Sequence, residues 1–194
     1  MPIEWTGIQG VEPKRYVCGH CDTSISSERG YRGNFVGTQF KAHIYICHTC
    51  TYPTFIWEPH DDQVPGASFG DNVEGITDEV VKSLYDEARN CFKANSFTAS
   101  VLCCRKLLMN IAVSKGAKEG ENFFEYVEFL SNENFIPPGA KDWVDHIRTK
   151  GNEATHEIKI MESSDAEDLL KFIGMLLKIV YEFPDTIKKR IKKE

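Results

Sequence analysis

Four cysteines stand in two pairs of identical internal spacing, Cys18-Gly19-His20-Cys21 and Cys47-His48-Thr49-Cys50. A CxxC segment brings two thiolates onto one tight turn, close enough to share a cation. Two such turns at hairpin tips make a closed tetrahedral site, and soft thiolate donors suit zinc. The spacing therefore predicts one zinc ion held by Cys18, Cys21, Cys47 and Cys50. Four thiolates fill the shell and leave no position for an activated water, so the expected role is structural. His20 and His48 lie inside the turns and stand as alternative ligands. The chain has seven cysteines; the other three, Cys91, Cys103 and Cys104, fall in helical patterns and read as small core residues. An odd number in a chain without a signal-like start does not suggest a disulfide framework.

A second concentration of chemistry lies at Arg148-Thr149-Lys150-Gly151-Asn152-Glu153-Ala154-Thr155-His156. If the chain turns at Gly151 and resumes as a helix, Asn152 and His156 lie four apart on one face, with Arg148 a turn earlier. A guanidinium, an amide and an imidazole converging in this way suit phosphoryl chemistry. Arg148 would hold a phosphate, His156 would move a proton near neutrality, and Asn152 would orient or donate. The alternative is plain: Asn152 caps a helix, His156 is satisfied locally, and Arg148 pairs with Asp145 or Glu153. Lys150 adds a cation to the same stretch. A further basic run, Lys188, Lys189, Arg190, Lys192 and Lys193, reads either as a solvated helix terminus or as a phosphate-contacting tail.

The elements that must position these groups differ in kind. The first 58 residues are rich in aromatic and β-branched residues punctuated by glycine. Strands are expected at Tyr16-Val17, from Gln39 to Ile46 and over Thr54-Phe55-Ile56-Trp57, leading into and out of the CxxC pairs. Residues 59–75 mix proline, glycine and acids and read as a linker. From Ile76 the apolar period becomes helical. Helices are expected from about Thr77, from Phe97 to Val113, from Phe123 to Leu130, and after Pro137-Pro138 around Trp143. Ser164 with Glu167 reads as a capping box opening a helix that is apolar almost all round, with Pro184 breaking it. The expected class is α+β, a small N-terminal β zinc ribbon (1–58) and a linker (59–75) before an all-helical bundle (76–194).

The net charge is −6 over 194 residues. Broad, non-specific DNA binding needs a basic face, so the balance argues against it. No uninterrupted apolar run approaches the ~18–20 residues that span a bilayer. The start, Met1-Pro2-Ile3-Glu4-Trp5, has neither a basic patch nor an apolar stretch of the signal-peptide kind. No membrane association and a cytoplasmic location are the expectations.

Behind the paired CxxC knuckles, the run Arg148-x-x-Gly151-Asn152-x-x-x-His156 resembles the bacterial family called domain of unknown function 4145. The helical part resembles the HEPN superfamily (higher eukaryotes and prokaryotes nucleotide-binding). The resemblance covers roughly the whole chain. It implies an RNA- or nucleotide-binding HEPN-like domain, in many members a metal-independent ribonuclease of a bacterial defence or toxin-type system. Such proteins usually act as homodimers, with the arginine and histidine of both subunits meeting at the interface. By that resemblance Arg148 would stabilise the scissile phosphate, His156 would be the general acid and base for attack by the ribose 2′-hydroxyl, and Asn152 would assist. Arg105, in Cys104-Arg105-Lys106-Leu107-Leu108, matches a frequently present helical arginine and joins Lys150, Lys188, Lys189 and Arg190 as a nucleic-acid contact. The sequence departs from the nuclease pattern in the longer gap between Arg148 and His156 and in Met109, where an acidic residue often stands. Inactive HEPN domains also occur, so the other expectation is a non-catalytic protein-interaction or dimerisation module with a structural zinc site.

Overall fold

Five antiparallel strands form the N-terminal sheet: β1 (Gln9–Val17), β2 (Ser24–Asn34), β3 (Lys41–Ile46), β4 (Pro53–Trp57) and β5 (Asp62–Val64), paired in sequence order. The computed structural model describes residues 2–156 and 160–191, with the backbone alone at 138, 141 and 154–156. One face of the sheet buries Tyr16, Ile25, Tyr45 and Ile56 against Cys18 and Cys47. That is a small core, and a metal staple is what such a core ordinarily needs. β2 was not among the expected strands. Its sequence, SISSERGYRGN, is mostly polar, and only the alternation at Ile25 and Ser27 marks its inward side. Gly30 of β2 pairs with Tyr45 of β3, and an added Cβ would lie 1.9 Å from the Ile44 carbonyl oxygen.

The chain divides into two units, Met1–Ser68 and Phe69–Glu194. Residues 59–75, expected as a linker, contain β5, whose Gln63 amide donates to the Val17 carbonyl at 2.8 Å. From Phe69 onward the same stretch belongs to the helical unit. Phe69 and Val73 pack against the helical core, the Tyr85 hydroxyl donates to the Asp71 carbonyl at 2.7 Å, and Arg89 Nε donates to the Phe69 carbonyl at 3.0 Å.

The helical unit comprises α1 (Glu79–Lys93), α2 (Phe97–Ser114), α3 (Phe123–Asn132), a 3-10 turn at Pro138–Ala140, α4 (Lys141–His156), α5 (Ser163–Leu177), a π-helical turn (Lys178–Glu182) and α6 (Phe183–Ile191). α5 is the central helix: Leu169, Leu170, Phe172, Ile173, Leu176 and Leu177 are all fully buried. α2 lies beside it. It is 18 residues long with mean hydropathy 1.3, the one described helix long and apolar enough to cross a membrane by length and composition. Its Val101, Leu107, Leu108 and Ile111 are buried in the core of the helical unit.

Three local expectations need correction. The α1 cap is Asp78, one place after Thr77, and its carboxylate accepts from the Val80 and Val81 amides two and three residues on. α5 opens at Glu162, whose amide donates to Asp165 Oδ2 at 3.0 Å. Ser164 and Glu167 lie two residues further on, inside the helix. Pro184 does not end the helical path: the chain passes through the π-helical turn at Lys178–Glu182, the Phe183 amide donates to the Lys178 carbonyl, and the path continues as α6.

Candidate functional site

The two CxxC segments adopt the same turn. The Asp22 amide donates to the Cys18 carbonyl at 2.9 Å, and the Thr51 amide to the Cys47 carbonyl at 2.9 Å. Each turn closes through a left-handed residue, Asp22 at φ 58° and Thr51 at φ 64°. This brings Cys18 Sγ to 3.7 Å from Cys50 and Cys21 Sγ to 3.8 Å from Cys47. All four sulfurs lie within 4.8 Å of one another. A tetrahedral ion with metal–sulfur bonds of about 2.3 Å has sulfur–sulfur edges of about 3.8 Å, so the four cysteines fit a thiolate-bound metal ion. His20 is turned away from them: its Nε2 lies 3.0 Å from the Pro53 carbonyl and its ring packs on Tyr52. His48 is exposed.

Ionisation of these thiols is uneven. Burial pushes Cys18 up, and pushes Cys50 up to about 12. Burial also works upward on Cys21, yet hydrogen bonds from Thr23 bring it down to about 7. Four thiolates so close repel one another, and a bound cation removes that penalty.

The second cluster is built by α2, α3 and α4. No turn occurs at Gly151: α4 runs unbroken through it from Lys141 to His156. The glycine serves packing instead. An added Cβ there would lie 2.5 Å from Phe123 Cε1, so α4 approaches α3 more closely than any side chain allows. Because the helix continues, positions 148, 152 and 156 still fall along one stripe, two turns long.

Arg105 reaches across from α2, and its Nη1 donates to Asn152 Oδ1 at 3.3 Å. Its guanidinium lies 4.1 Å from the centre of the Phe123 ring. Burial pushes the Arg105 pKa down from its usual value. Arg148 lies 4.0 Å from the centre of the adjacent Phe124 ring, and Nη1 donates to Asp145 Oδ1 at 2.7 Å. Two guanidiniums therefore sit on two neighbouring rings of the first turn of α3, with the Asn152 amide beside one of them. Asn152 is inside α4 and caps nothing. The His156 side chain lies outside the described residues.

The remaining cations are elsewhere. Lys150 points to the other side of α4, 2.7 Å from Asp165 Oδ1 and 3.5 Å from Glu153 Oε2. Lys188, Lys189 and Arg190 lie on α6, with Lys189 Nζ 2.6 Å from Asp185 Oδ2. Lys192 and Lys193 lie outside the described residues. Phe123 and Phe124 were read from sequence only as the start of a helix. Their adjacency at an N-terminus was the available signal, because one of two consecutive aromatics there must face outward.

The sequence model of the family described as domain of unknown function (DUF4145) matches residues 86–194, more than half of the chain. The chain belongs to the DUF4145 family. The DUF4145 match takes in most of α1 and all of α2 to α6, hence every residue of the arginine cluster. No curated protein and no solved structure matches the chain.

Proposed function

We propose that this DUF4145 protein carries a HEPN-like helical domain that binds RNA or a nucleotide at the Arg105–Arg148–Asn152 cluster. The observation that supports the reading is the pair of guanidiniums held on adjacent phenylalanine rings. Stacking fixes the plane of each fork, and a fixed fork is suited to bidentate phosphate contacts. Phe124, which is 40% exposed, offers a face on which a base can stack. Asp145 neutralises Arg148 in the free protein, but an exposed pair of this kind is worth little, so a phosphate can displace the carboxylate.

In the catalytic form of this reading, the ribose 2′-oxygen attacks the adjacent phosphorus while His156 takes its proton. The 5′-oxygen leaves with a proton returned to it, and the arginines hold the charge on the phosphorane oxygens. The pathway is a bacterial defence or toxin-type system in the cytoplasm. A homodimer would place a second Arg148–His156 set beside the first. The ion in the ribbon is zinc. Four thiolate donors with tetrahedral edges leave it saturated, so it staples the sheet and takes no part in the reaction.

The pairing of Arg148 with Asp145 and of Arg105 with Asn152 favours a second reading, a non-catalytic interaction or dimerisation module in which Arg105–Asn152 only ties α2 to α4 and Arg148–Asp145 only braces one turn of α4. Incubation of the protein with mixed RNA, with and without chelator, decides between cleavage and its absence. The nuclease reading expects cleavage that persists in chelator and disappears in His156→Ala. Binding without turnover leaves the RNA-binding form, and neither binding nor turnover leaves the module.

A further inference from the structure

α6 carries its apolar stripe on the outside. Phe183, Ile187 and Ile191 recur at four-residue intervals, so they share about 80° of the helix surface. They are 54%, 58% and 67% exposed, and no residue of α6 is buried. A surface helix ordinarily turns such a stripe to the core. Here the covered side is polar. Asp185 is the only half-buried residue of α6, an added Cβ at Gly75 would lie 2.8 Å from its Cβ, and its Oδ2 meets Lys189 Nζ one turn on. The stripe therefore faces away from the core of its own unit.

The cations define the partner. At helical spacing Lys188 and Arg190 stand at the two edges of the stripe, and the sequence continues Lys192-Lys193. A partner must take up the apolar and the cationic surface together. Nucleic acid satisfies the cations and leaves the stripe in water. A second copy of the stripe would bring Lys188 and Arg190 against their own like charges. Any protein surface gains little besides, because three side chains offer far less than the ~800 Å² per partner of a stable complex. An anionic lipid surface satisfies both: the apolar side chains enter the boundary between headgroups and acyl chains, and the cations extend to the phosphates. With nine residues, α6 is about 14 Å long, less than half the ~30 Å hydrocarbon core, so it lies in the surface and does not cross. The expectation of no membrane association followed from the lack of a spanning run, which a surface helix does not need.

We infer that α6 docks the protein onto an anionic phospholipid surface, with Phe183, Ile187 and Ile191 in the headgroup boundary and Lys188 and Arg190 on lipid phosphates. The inference does not depend on RNA binding at the Arg105–Arg148–Asn152 cluster.

The test is flotation of the full, metal-loaded chain with vesicles of phosphatidylcholine, alone or with about one-third phosphatidylglycerol. Binding to the anionic vesicles at least about tenfold tighter than to the neutral ones, and weakened by salt, is expected. Ile187→Gln should lose about fivefold or more, whereas Ile187→Trp, with a ring suited to the interface, should bind as tightly as the wild type. A Lys188→Gln, Arg190→Gln double variant should lose about thirtyfold. All these positions are exposed, so the helical circular-dichroism signal should stay unchanged. Absence of flotation, equal binding to both vesicles, or affinity unchanged in Ile187→Gln or in the double variant overturns the inference. Affinity for single-stranded RNA that falls as far as vesicle affinity in Ile187→Gln would assign α6 to nucleic acid and overturn it too. So would a dimer in analytical ultracentrifugation that Ile187→Gln dissociates, which would give the stripe to a second copy.

Discussion

Gly151 shows how a residue can be informative for a reason the sequence does not display. A glycine between polar residues suggests a turn, and the structure instead uses it as a contact with Phe123. Gly151→Ala tests this. On helix propensity alone alanine should stabilise by about 1 kcal/mol. The crowding against Phe123 works the other way, and overpacking typically costs about 1–3 kcal/mol, so net destabilisation is expected in urea unfolding. A stabilised variant would mean that α3 gives way easily. Asp145→Asn tests the neighbouring ion pair. Freed of its carboxylate, Arg148 should bind RNA about two- to fivefold more tightly, in line with the small worth of an exposed pair. Unchanged affinity would indicate that Arg148 never meets phosphate. Lys150 offers the opposite contrast. Its pairing with the buried Asp165 predicts that Lys150→Met lowers stability by about 1.5–3 kcal/mol while RNA affinity stays the same.

At the scale of elements, what was legible followed from periodicity and what was missed followed from tertiary pairing. The helical spans of α1, α2 and α3, and the apolar centre at α5, were readable because their buried residues recur at helical spacing. β2 and β5 were not, since a strand with partners to pair with needs few apolar residues of its own. The thiol cluster was fully readable, as CxxC spacing alone sets the geometry of each knuckle. The arginine cluster was half readable. Arg148 and Asn152 belong to one helix, whereas the approach of Arg105 and of the Phe123–Phe124 pair depends on how α2 and α3 pack. Removal of the metal is the test at this scale. With an ion on the four cysteines as proposed, the small core around Tyr16, Ile25, Tyr45 and Ile56 should not hold the sheet once that ion is removed. A strong chelator is therefore expected to abolish amide protection in residues 9–64 by hydrogen exchange while α2 and α5 remain protected. Retained protection in the strands would show that the ribbon folds without metal.

The whole molecule joins a sheet that carries four clustered cysteines to a helical unit of the DUF4145 family. Its net charge of −6 means that any RNA contact must be local and must work against the average field. That makes the arginine pair decisive. The most direct measurement is fluorescence anisotropy of a labelled single-stranded RNA titrated with wild type and with an Arg105→Ala, Arg148→Ala double variant, at two salt concentrations. The account predicts affinity that weakens with salt and falls by about a hundredfold in the double variant, with the helical circular-dichroism signal unchanged. Equal affinity of the two proteins for RNA would contradict it.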